Sequence, residues 1–164
     1  MTRATYELRC GNTSLLEKIQ RRYPATDTCY FVRDHLTEVL RRRVGANAVN
    51  DMSVLETDDF TFVNGKWMVE KTKPPESEEE VQTHRGEVLF VRAKRETIER
   101  NMATSLSLLL DNLSDDIGAR EVEATVLSYP WDLVAQNSQA IKEDFDHVKS
   151  NKPRAEIPKK IEVE

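Results

Sequence analysis

The chain has 164 residues, of which 38% are hydrophobic and 32% charged, and its net charge is −5. This length suits one domain with a single core, and this composition is typical of a soluble globular protein. The negative net charge gives no sequence-wide reason to expect a nucleic-acid partner, which would favour a basic patch. No apolar run approaches the ~20 residues that span a membrane, so no membrane partner is expected either.

The cysteines and histidines do not form a metal-binding pattern. Cys10 and Cys29 are the only cysteines, and they lie far apart in the sequence. Two unclustered thiols favour a reducing compartment over a disulfide scaffold, and the N-terminus has no apolar signal-peptide region. The three histidines are scattered without a partner at ligand spacing. We therefore predict a cytoplasmic location and no metal-ligating residues.

The first quarter of the chain predicts an opening helix followed by a strand and a second helix. Ser14 and Glu17 form a capping box that predicts a helix near residues 15–22, which Pro24 ends. The apolar run 29–32 has the length of a buried parallel strand. A second helix then starts near Asp34, as a candidate cap, and stops at Gly45.

The middle of the chain predicts a β-hairpin. Residues 60–63 alternate as a strand does, and Asn64-Gly65 is the strongest short hairpin signal, because a type I′ turn needs positive φ at both positions. Trp67 and Val69 would continue the partner strand. A hairpin turn needs no ligand, so this signal alone is structural.

The next segments predict a loop, a strand and an interrupted helix. Residues 71–84 contain two prolines and four glutamates and are predicted to be a solvated loop. Residues 87–92 are predicted to form a strand. Residues 94–113 have helical spacing, with a break expected within 101–107, where serine, threonine and alanine are frequent.

The last third of the chain predicts a strand followed by a long helix. Residues 120–127 alternate as a strand, and Pro130 occupies a favourable first helical position. We expect the helix over residues 130–145 to pack Leu133, Val134 and Ile141 into the core. This expectation rests on the helical spacing of Leu133, Val134, Asn137, Ile141, Phe145 and Val148.

Together these elements predict an α/β fold with a three-layer, mostly parallel sheet, helices on both faces and one β-hairpin at Asn64-Gly65. The domain is expected to cover residues 1–148. Residues 149–164 carry two prolines and few large apolar residues, so they are predicted to form an extended tail. We expect residues 72–85 and 151–164 to be the most mobile parts of the chain, because little buried surface offsets the entropy of ordering them.

Three segments resemble one protein family in their order and spacing. They are Glu7-Leu-Arg-Cys-Gly11 with Thr13 to Ile19, Phe62-Val-Asn-Gly-Lys-Trp67, and Tyr129-Pro-Trp-Asp-Leu-Val with Asn137. They resemble the catalytic domain of sugar-phosphate nucleotidyltransferases, and in particular the group whose domain continues into a left-handed β-helix acyltransferase domain. No hexapeptide repeat of such a domain is present in this chain.

The resemblance implies a sugar-1-phosphate nucleotidyltransferase-like domain in sugar-nucleotide metabolism. Its partner would be a sugar phosphate or a sugar nucleotide, its cofactor would be Mg²⁺ if the domain is active, and homo-oligomers are possible. A second hypothesis, from another class of protein, is a non-catalytic binding or assembly module derived from the same fold.

Several parts that nucleotidyl transfer needs are not found in the sequence. The first strand and the phosphate-cradling loop of the resembled family are expected to be missing, which suggests a truncated or degenerate domain. Lys66 and Val126 occupy the positions where the resemblance places the carboxylates that hold Mg²⁺. An ammonium group cannot ligate Mg²⁺, which takes oxygen ligands. No catalytic residue is therefore assigned.

The candidate substrate-binding residues come from the resemblance and have structural alternatives. Arg3 and Arg9 would pair with phosphate, although plain surface placement also accounts for them. Asp132 would contact a sugar hydroxyl or stabilise the N-terminus of a helix. The full candidate set is Arg3, Arg9, Gly11, Asn64, Gly65 and Asp132.

Overall fold

A computed structural model describes residues 3–25, 27–45, 49–69 and 77–151. Its helices are α1 (Leu15–Arg22), α2 (Asp34–Val44), α3 (Arg95–Asn101), α4 (Leu106–Ile117) and α5 (Pro130–Asn151). Its strands are β1 (Arg9–Cys10), β2 (Thr13–Ser14), β3 (Phe60–Val63), β4 (Glu80–His84), β5 (Glu87–Ala93) and β6 (Ala119–Glu121). Short 3-10 helices cover Thr5–Glu7 and Met52–Glu56. None of the helices in these ranges is long and apolar enough to cross a membrane.

The main sheet is mixed, and its strand order is β3-β5-β4-β6. The α/β class is therefore confirmed. The predicted mostly parallel sheet is not, because β5 is antiparallel to both β3 and β4, and only β4 and β6 are parallel. The antiparallel pairing of β4 and β5 follows from their two-residue connection, since strands joined by so short a turn pair antiparallel. The predicted three-layer arrangement is not confirmed either.

The hairpin lies at a different turn from the predicted one. Arg85 and Gly86 connect β4 to β5, and both have positive φ, 52° and 78°. Asn64 and Gly65 are not among the residues with positive φ, and Trp67 forms an isolated bridge with Val126 instead of a partner strand for β3. The predicted hairpin at Asn64-Gly65 is wrong, because the next residues leave the main sheet and pair with the segment before α5.

Strand β4 falls where a solvated loop was predicted, so that prediction is wrong for residues 80–84. The sequence of β4 is polar, yet Glu80, Val81 and Gln82 are buried. The Arg120 guanidinium pairs with the Glu80 carboxylate, and the Gln82 Nε2 donates to Glu80 Oε1 over 2.8 Å. Buried polar groups with such partners are tolerated, so hydrophobicity alone does not find this strand. Residues 77–79 of the predicted loop form neither a helix nor a strand, and residues 71–76 lie outside the described residues.

The predicted strand at residues 29–32 is wrong as well. Only Tyr30 forms a bridge there, with Val49. The Asn50 side chain supplies the hydrogen bonds that a neighbouring strand would give: its Oδ1 accepts from the Val32 N–H at 2.7 Å, and its Nδ2 donates to the Val32 carbonyl at 2.9 Å. One side chain thus satisfies the backbone of this segment without a ladder.

The predicted strand at residues 120–127 is confirmed only in its first part. β6 covers Ala119–Glu121, and Val126 contributes a single antiparallel bridge to Trp67. Backbone hydrogen bonds from Met68 to Thr125 and from Leu127 to Lys66 accompany this bridge, at 3.0 and 2.9 Å. The segment therefore changes partner, from β4 to residues 66–68, halfway along.

Most helix ends follow their local sequence signals, although the candidate cap Asp34 is the first residue of α2 and Arg33 occupies the cap position. Ser14 and Glu17 form the predicted capping box of α1, with the Ser14 N–H donating to Glu17 Oε2 at 2.6 Å. Gly45 ends α2 with a φ of 99°, and the expected break separates α3 from α4. α5 begins at Pro130. These signals act over a few residues, so tertiary structure does not override them.

The main core lies between the sheet and helices α3 and α4. Its fully buried members are Leu55, Val81, Val91, Ala93, Ile98, Leu109 and Leu113.

Replacing Leu113 by Ala should lower the free energy of unfolding by about 2–5 kcal/mol, because a cavity is left among these side chains. Leu108 on the same helix is 48% exposed, so Leu108→Ala is the matched control. Urea unfolding measures both variants, and similar losses would contradict this description of the core.

Helix α5 buries a different face from the predicted one. Leu133 is half-buried and packs against Cys10, Leu15 and Ala140 in a second core cluster, and Asp144 is also buried. Val134 and Ile141, however, are 78% and 43% exposed, so the prediction is wrong for these two residues. The helix runs on to Asn151, so residues 149–151 are helical where a tail was predicted; residues 152–164 lie outside the described residues.

Candidate functional site

The three segments that carry the family resemblance meet in space. The first contacts the third, since Gly11 and Cys10 lie against α5. The first also contacts the second, because Ile19 packs against the core cluster that contains Trp67. Gly65 packs under the side chain of Tyr6, the residue just before the first segment. The second pairs with the strand residues before α5 through Lys66 and Leu127. We call this meeting place the three-segment junction; it comprises Tyr6, Cys10, Gly11, Gly65, Lys66, Leu127 and Asn137.

Gly11 makes the closest approach in the junction. Its φ is 80°, a left-handed conformation that glycine adopts readily, and it lies in the turn between β1 and β2. Its N–H donates to Asn137 Oδ1 at 2.8 Å. A Cβ at this position would lie 2.6 Å from Asp144 Oδ2 and 2.9 Å from the Ala140 carbonyl carbon. The backbone turn therefore fits directly against α5 because residue 11 has no side chain.

A buried ionic cluster holds the same turn to α5. Asp144 Oδ1 accepts from Lys18 Nζ at 2.7 Å, Thr13 Oγ1 at 2.9 Å and Arg21 Nη1 at 3.1 Å. Asp144 Oδ2 accepts from the N–H of Asn12 at 2.8 Å. The Lys18 and Asp144 side chains are each 1% exposed. We call this set the Asp144 cluster.

The Asp144 cluster keeps its carboxylate charged. Burial by itself would raise the pKa of Asp144, but hydrogen bonds from Lys18, Thr13 and Arg21 and from the N–H of Asn12 outweigh it. The pKa of Asp144 is lowered to about 2. A carboxylate with this many partners serves to fix two parts of the chain together, and its lone pairs are occupied within the protein.

The Asn64-Gly65 turn is held to strand β5. The Asn64 N–H donates to the Leu89 carbonyl at 2.8 Å, and its Nδ2 donates to the Val88 carbonyl at 3.0 Å. Asn64 Oδ1 accepts from the N–H of Lys66 at 3.0 Å, closing the turn. A Cβ on Gly65 would lie 3.0 Å from Tyr6 Cβ, so a side chain at this position would require Tyr6 to shift. The polar atoms of Asn64 are thus engaged within the protein.

The positions predicted for Mg²⁺-holding carboxylates do not fit a divalent cation. Lys66 Nζ forms an ion pair with Glu87 Oε1 at 2.7 Å. Burial acts to raise the pKa of Glu87, but hydrogen bonds from Lys66 and Asn64 outweigh it and lower the pKa. Val126, at the second position, is apolar and pairs with Trp67. Mg²⁺ requires oxygen ligands, and within the described ranges no group of three or more His, Cys, Asp or Glu could hold a metal ion.

Asp132 stabilises the start of α5. Its Oδ2 accepts from the N–H groups of Ser128 and Tyr129, both at 2.8 Å. These donors lie just before the helix, where backbone N–H groups otherwise lack partners. The structural role considered for Asp132 is therefore present, and contact with a sugar hydroxyl stays a prediction.

Arg3 and Arg9 have exposed side chains near the start of the first segment. Arg9 is paired with Ser14 across the β1–β2 ladder, and its neighbour Cys10 is fully buried. Because successive strand side chains alternate in direction, Arg9 points away from the core that Cys10 enters. Of the six candidate residues, these two keep a charged group in solvent.

A profile of the sugar nucleotidyl transferase family matches residues 1–152. The chain belongs to the sugar nucleotidyl transferase family. No curated protein and no solved structure shows significant similarity to it. The family match covers all three resemblance segments and the whole three-segment junction.

Sequence reasoning missed the residues that hold this nucleotidyl transferase domain together. Lys18, Thr13 and Arg21 were not selected, and Asp144 was assigned no role, although the first three belong to or adjoin the first resemblance segment. The available signal was the spacing of Leu133, Asn137, Ala140 and Asp144 on one face of α5. Because two of these four residues are polar, hydrophobic periodicity favours the more apolar face of α5 as the buried one, and that face is exposed.

Proposed function

We propose that this domain recognises a sugar phosphate or a sugar nucleotide in sugar-nucleotide metabolism, and that it does not transfer the nucleotidyl group by itself. The proposal rests on which side chains occupy the three-segment junction and how they are paired. The family segments are assembled there, but Lys66 is paired with Glu87 where a metal-holding carboxylate would be needed. Cytoplasmic location belongs to the same proposal, supported by two cysteines that form no disulfide.

Recognition of a phosphate group is assigned to Arg3 and Arg9. Guanidinium groups bind phosphate through paired, charge-assisted hydrogen bonds, and these two remain in solvent beside the junction. The other candidate residues have engaged polar groups: Asn64 is bound to β5, Asp132 to the start of α5, and the N–H of Gly11 to Asn137. The two arginines are thus the positively charged groups of the candidate set, and both are exposed to an approaching anion.

The proposal does not include nucleotidyl transfer by this domain, because the negative charge of the transition state needs stabilisation. Nucleotidyl transfer spreads negative charge over phosphoryl oxygens, and positioned donors and a metal ion supply most of its stabilisation. The side chains of Lys66 and Val126 do not fit Mg²⁺, so the proposed function includes no step through that ion. A domain that keeps the fold and loses the metal site can still bind the substrate class, since binding needs fewer groups than catalysis.

A second candidate function is an assembly module. The observation that favours it is the apolar surface that α5 exposes, including Trp131 at 64% and Phe145 at 61%. Contiguous apolar patches larger than a few hundred Å² often mark interaction sites on soluble proteins. The two functions are compatible, because α5 presents this surface on the side away from Gly11.

Titration calorimetry should detect binding of a sugar 1-phosphate or a sugar nucleotide by the full chain. Arg9→Gln should weaken that binding about tenfold or more, the value expected for losing a charge-assisted hydrogen bond. Arg95→Gln on α3 is the matched control, because Arg95 is also exposed and its side chain forms a surface ion pair with Glu99. The control should leave affinity unchanged.

Turnover is measured separately, as pyrophosphate release from a nucleoside triphosphate and a sugar 1-phosphate. We expect none above background, with or without Mg²⁺. Release that depends on Mg²⁺ in a clean preparation would overturn the non-catalytic part of the proposal. Absence of binding to every sugar phosphate and nucleotide tried would overturn the recognition part and leave the assembly function.

A further inference from the structure

Helix α5 carries a regular apolar stripe on its exposed side. Its members alternate at steps of three and four residues: Trp131, Val134, Ser138, Ile141, Phe145 and Val148. The five apolar members are 43–78% exposed. We call this set the α5 stripe. Such spacing is the a/d pattern of a coiled-coil seam, which brings one face of a helix against a second helix.

The α5 stripe is too large to be an incidental feature of the surface. With aromatic side chains of roughly 150–250 Å², the exposed fractions leave on the order of 500 Å² of apolar area. That is close to the largest patch found on typical monomers, about 300–600 Å². It would also supply more than half of the roughly 800 Å² that each partner of a stable complex buries.

The described parts of the chain leave the stripe exposed, because α5 packs onto them with another face. Leu133, Ala140 and Asp144 face the β1–β2 turn and α1, and Asn137 accepts from the N–H of Gly11. Those contacts fix the rotation of the helix about its axis. The stripe lies roughly a quarter of a turn around the helix from that buried face, so the buried contacts hold it outward.

We propose that a second copy of this chain covers the α5 stripe, with the two helices antiparallel about a two-fold axis. In antiparallel pairs, each a position packs against a d position. One register then places all six members in layers. Trp131 faces the partner's Val148, Val134 faces the partner's Phe145, and Ser138 faces the partner's Ile141.

This register is self-complementary in side-chain size. Each layer pairs a large residue with a smaller one, which fills the space between two helices evenly. A parallel pair in register would instead set Trp131 against Trp131 and Ser138 against Ser138, leaving layers that are alternately crowded and empty. A C₂ interface of the antiparallel kind also uses the same patch on both copies and closes on itself.

Sedimentation velocity of the full chain from micromolar concentrations upward tests the proposal. We expect a dimer. Val134→Lys and Phe145→Glu should each raise the dimer dissociation constant by at least about 30-fold, the effect of losing a central interface residue. An equimolar mixture of the two variants should dimerise again, because the lysine introduced at position 134 of one copy then faces the glutamate introduced at position 145 of the other in the proposed register.

Val39→Lys on α2 is the matched control, since Val39 is 44% exposed and lies away from the stripe. It should dimerise as the unmodified chain does, and circular dichroism should show every variant folded. A monomer at all concentrations overturns the proposal, as does a dimer that survives Val134→Lys. Two variants that stay monomeric when mixed overturn the antiparallel register, and dissociation by Val39→Lys would show that the association is not specific to α5.

Discussion

Gly11→Ala should lower the free energy of unfolding by about 2–5 kcal/mol, the sum of left-handed strain and of overpacking against α5. The strain follows from the φ of 80°, which a residue with a Cβ adopts at a cost. The overpacking follows from contacts of 2.6 Å to Asp144 Oδ2 and 2.9 Å to the Ala140 backbone. The helix backbone cannot give way as the end of a flexible side chain can.

Gly86→Ala separates these two contributions. Gly86 has nearly the same φ, 78°, but a Cβ there would meet nothing within 4 Å. Gly86→Ala should lower the free energy of unfolding by about 1–2 kcal/mol, from strain alone. Urea unfolding of both variants gives the comparison. Equal losses at the two glycines would contradict the close packing of the β1–β2 turn on α5.

Asp144→Asn should lower the free energy of unfolding by about 3–5 kcal/mol, the usual result of removing one partner from a buried ion pair. Lys18 would remain 1% exposed without its carboxylate, and the N–H of Asn12 would lose a charged acceptor. Adding Lys18→Met should recover part of the loss, because the buried ammonium that faced this carboxylate is then removed as well. A double-mutant cycle on unfolding free energies measures this coupling.

The surface pair of Arg42 and Glu38 is the control for Asp144→Asn. These side chains are 78% and 69% exposed, so Glu38→Gln should change stability by no more than about 0.5 kcal/mol. Losses of similar size for the two substitutions would show that the Asp144 cluster does not hold the fold. Additive effects of Lys18→Met and Asp144→Asn would contradict the direct pairing.

The pH dependence of stability tests the same cluster. The folded pKa of Asp144, about 2, lies below its ordinary value of 3.8. The unfolded chain therefore takes up a proton first as the pH falls, which favours unfolding. The contribution of Asp144 is complete above about pH 4 and is lost as the pH drops toward 2. In Asp144→Asn, this part of the acid-induced loss should be absent.

Elements with local signals could be predicted from the sequence. The capping box of Ser14 and Glu17, the glycine after α2 and the proline at the start of α5 each act within a few residues. Local hydrogen bonds and backbone preferences decide such boundaries, so neighbours in space do not change them. The break between α3 and α4 belongs to the same class.

Elements that depend on distant partners could not be predicted in this way. Strand β4 is polar, and its burial depends on Arg120, which lies 40 residues further along the chain. The buried face of α5 includes Asp144, whose partners come from α1 and the β1–β2 turn. Periodicity identifies an apolar face, and here that face is exposed while a more polar one is buried.

The candidate site shows the same division. The resemblance correctly selected three segments that belong together, and Gly11 and Gly65 lie at their contacts. It did not indicate that Asn64 is engaged within the protein, because its partners Val88 and Leu89 are backbone groups of strand β5. The structural role of Asp132 could be predicted, because its donors lie only three and four residues before it. The Asp144 cluster was missed because its members come from distant parts of the chain and carry no shared local pattern.

The contacts of the β1–β2 turn with α5 also determine when this domain can be completed during synthesis. They join residues 123 to 132 positions apart, whereas the β4–β5 hairpin closes over two residues. Closing so long a loop is slow and entropically costly, so these contacts form late. Until residue 144 leaves the ribosome, the nascent chain carries Lys18 and Arg21 without their carboxylate and Leu15 without its cover. The pairing of the Asp144 carboxylate in α5 thus distinguishes a finished domain from an unfinished one.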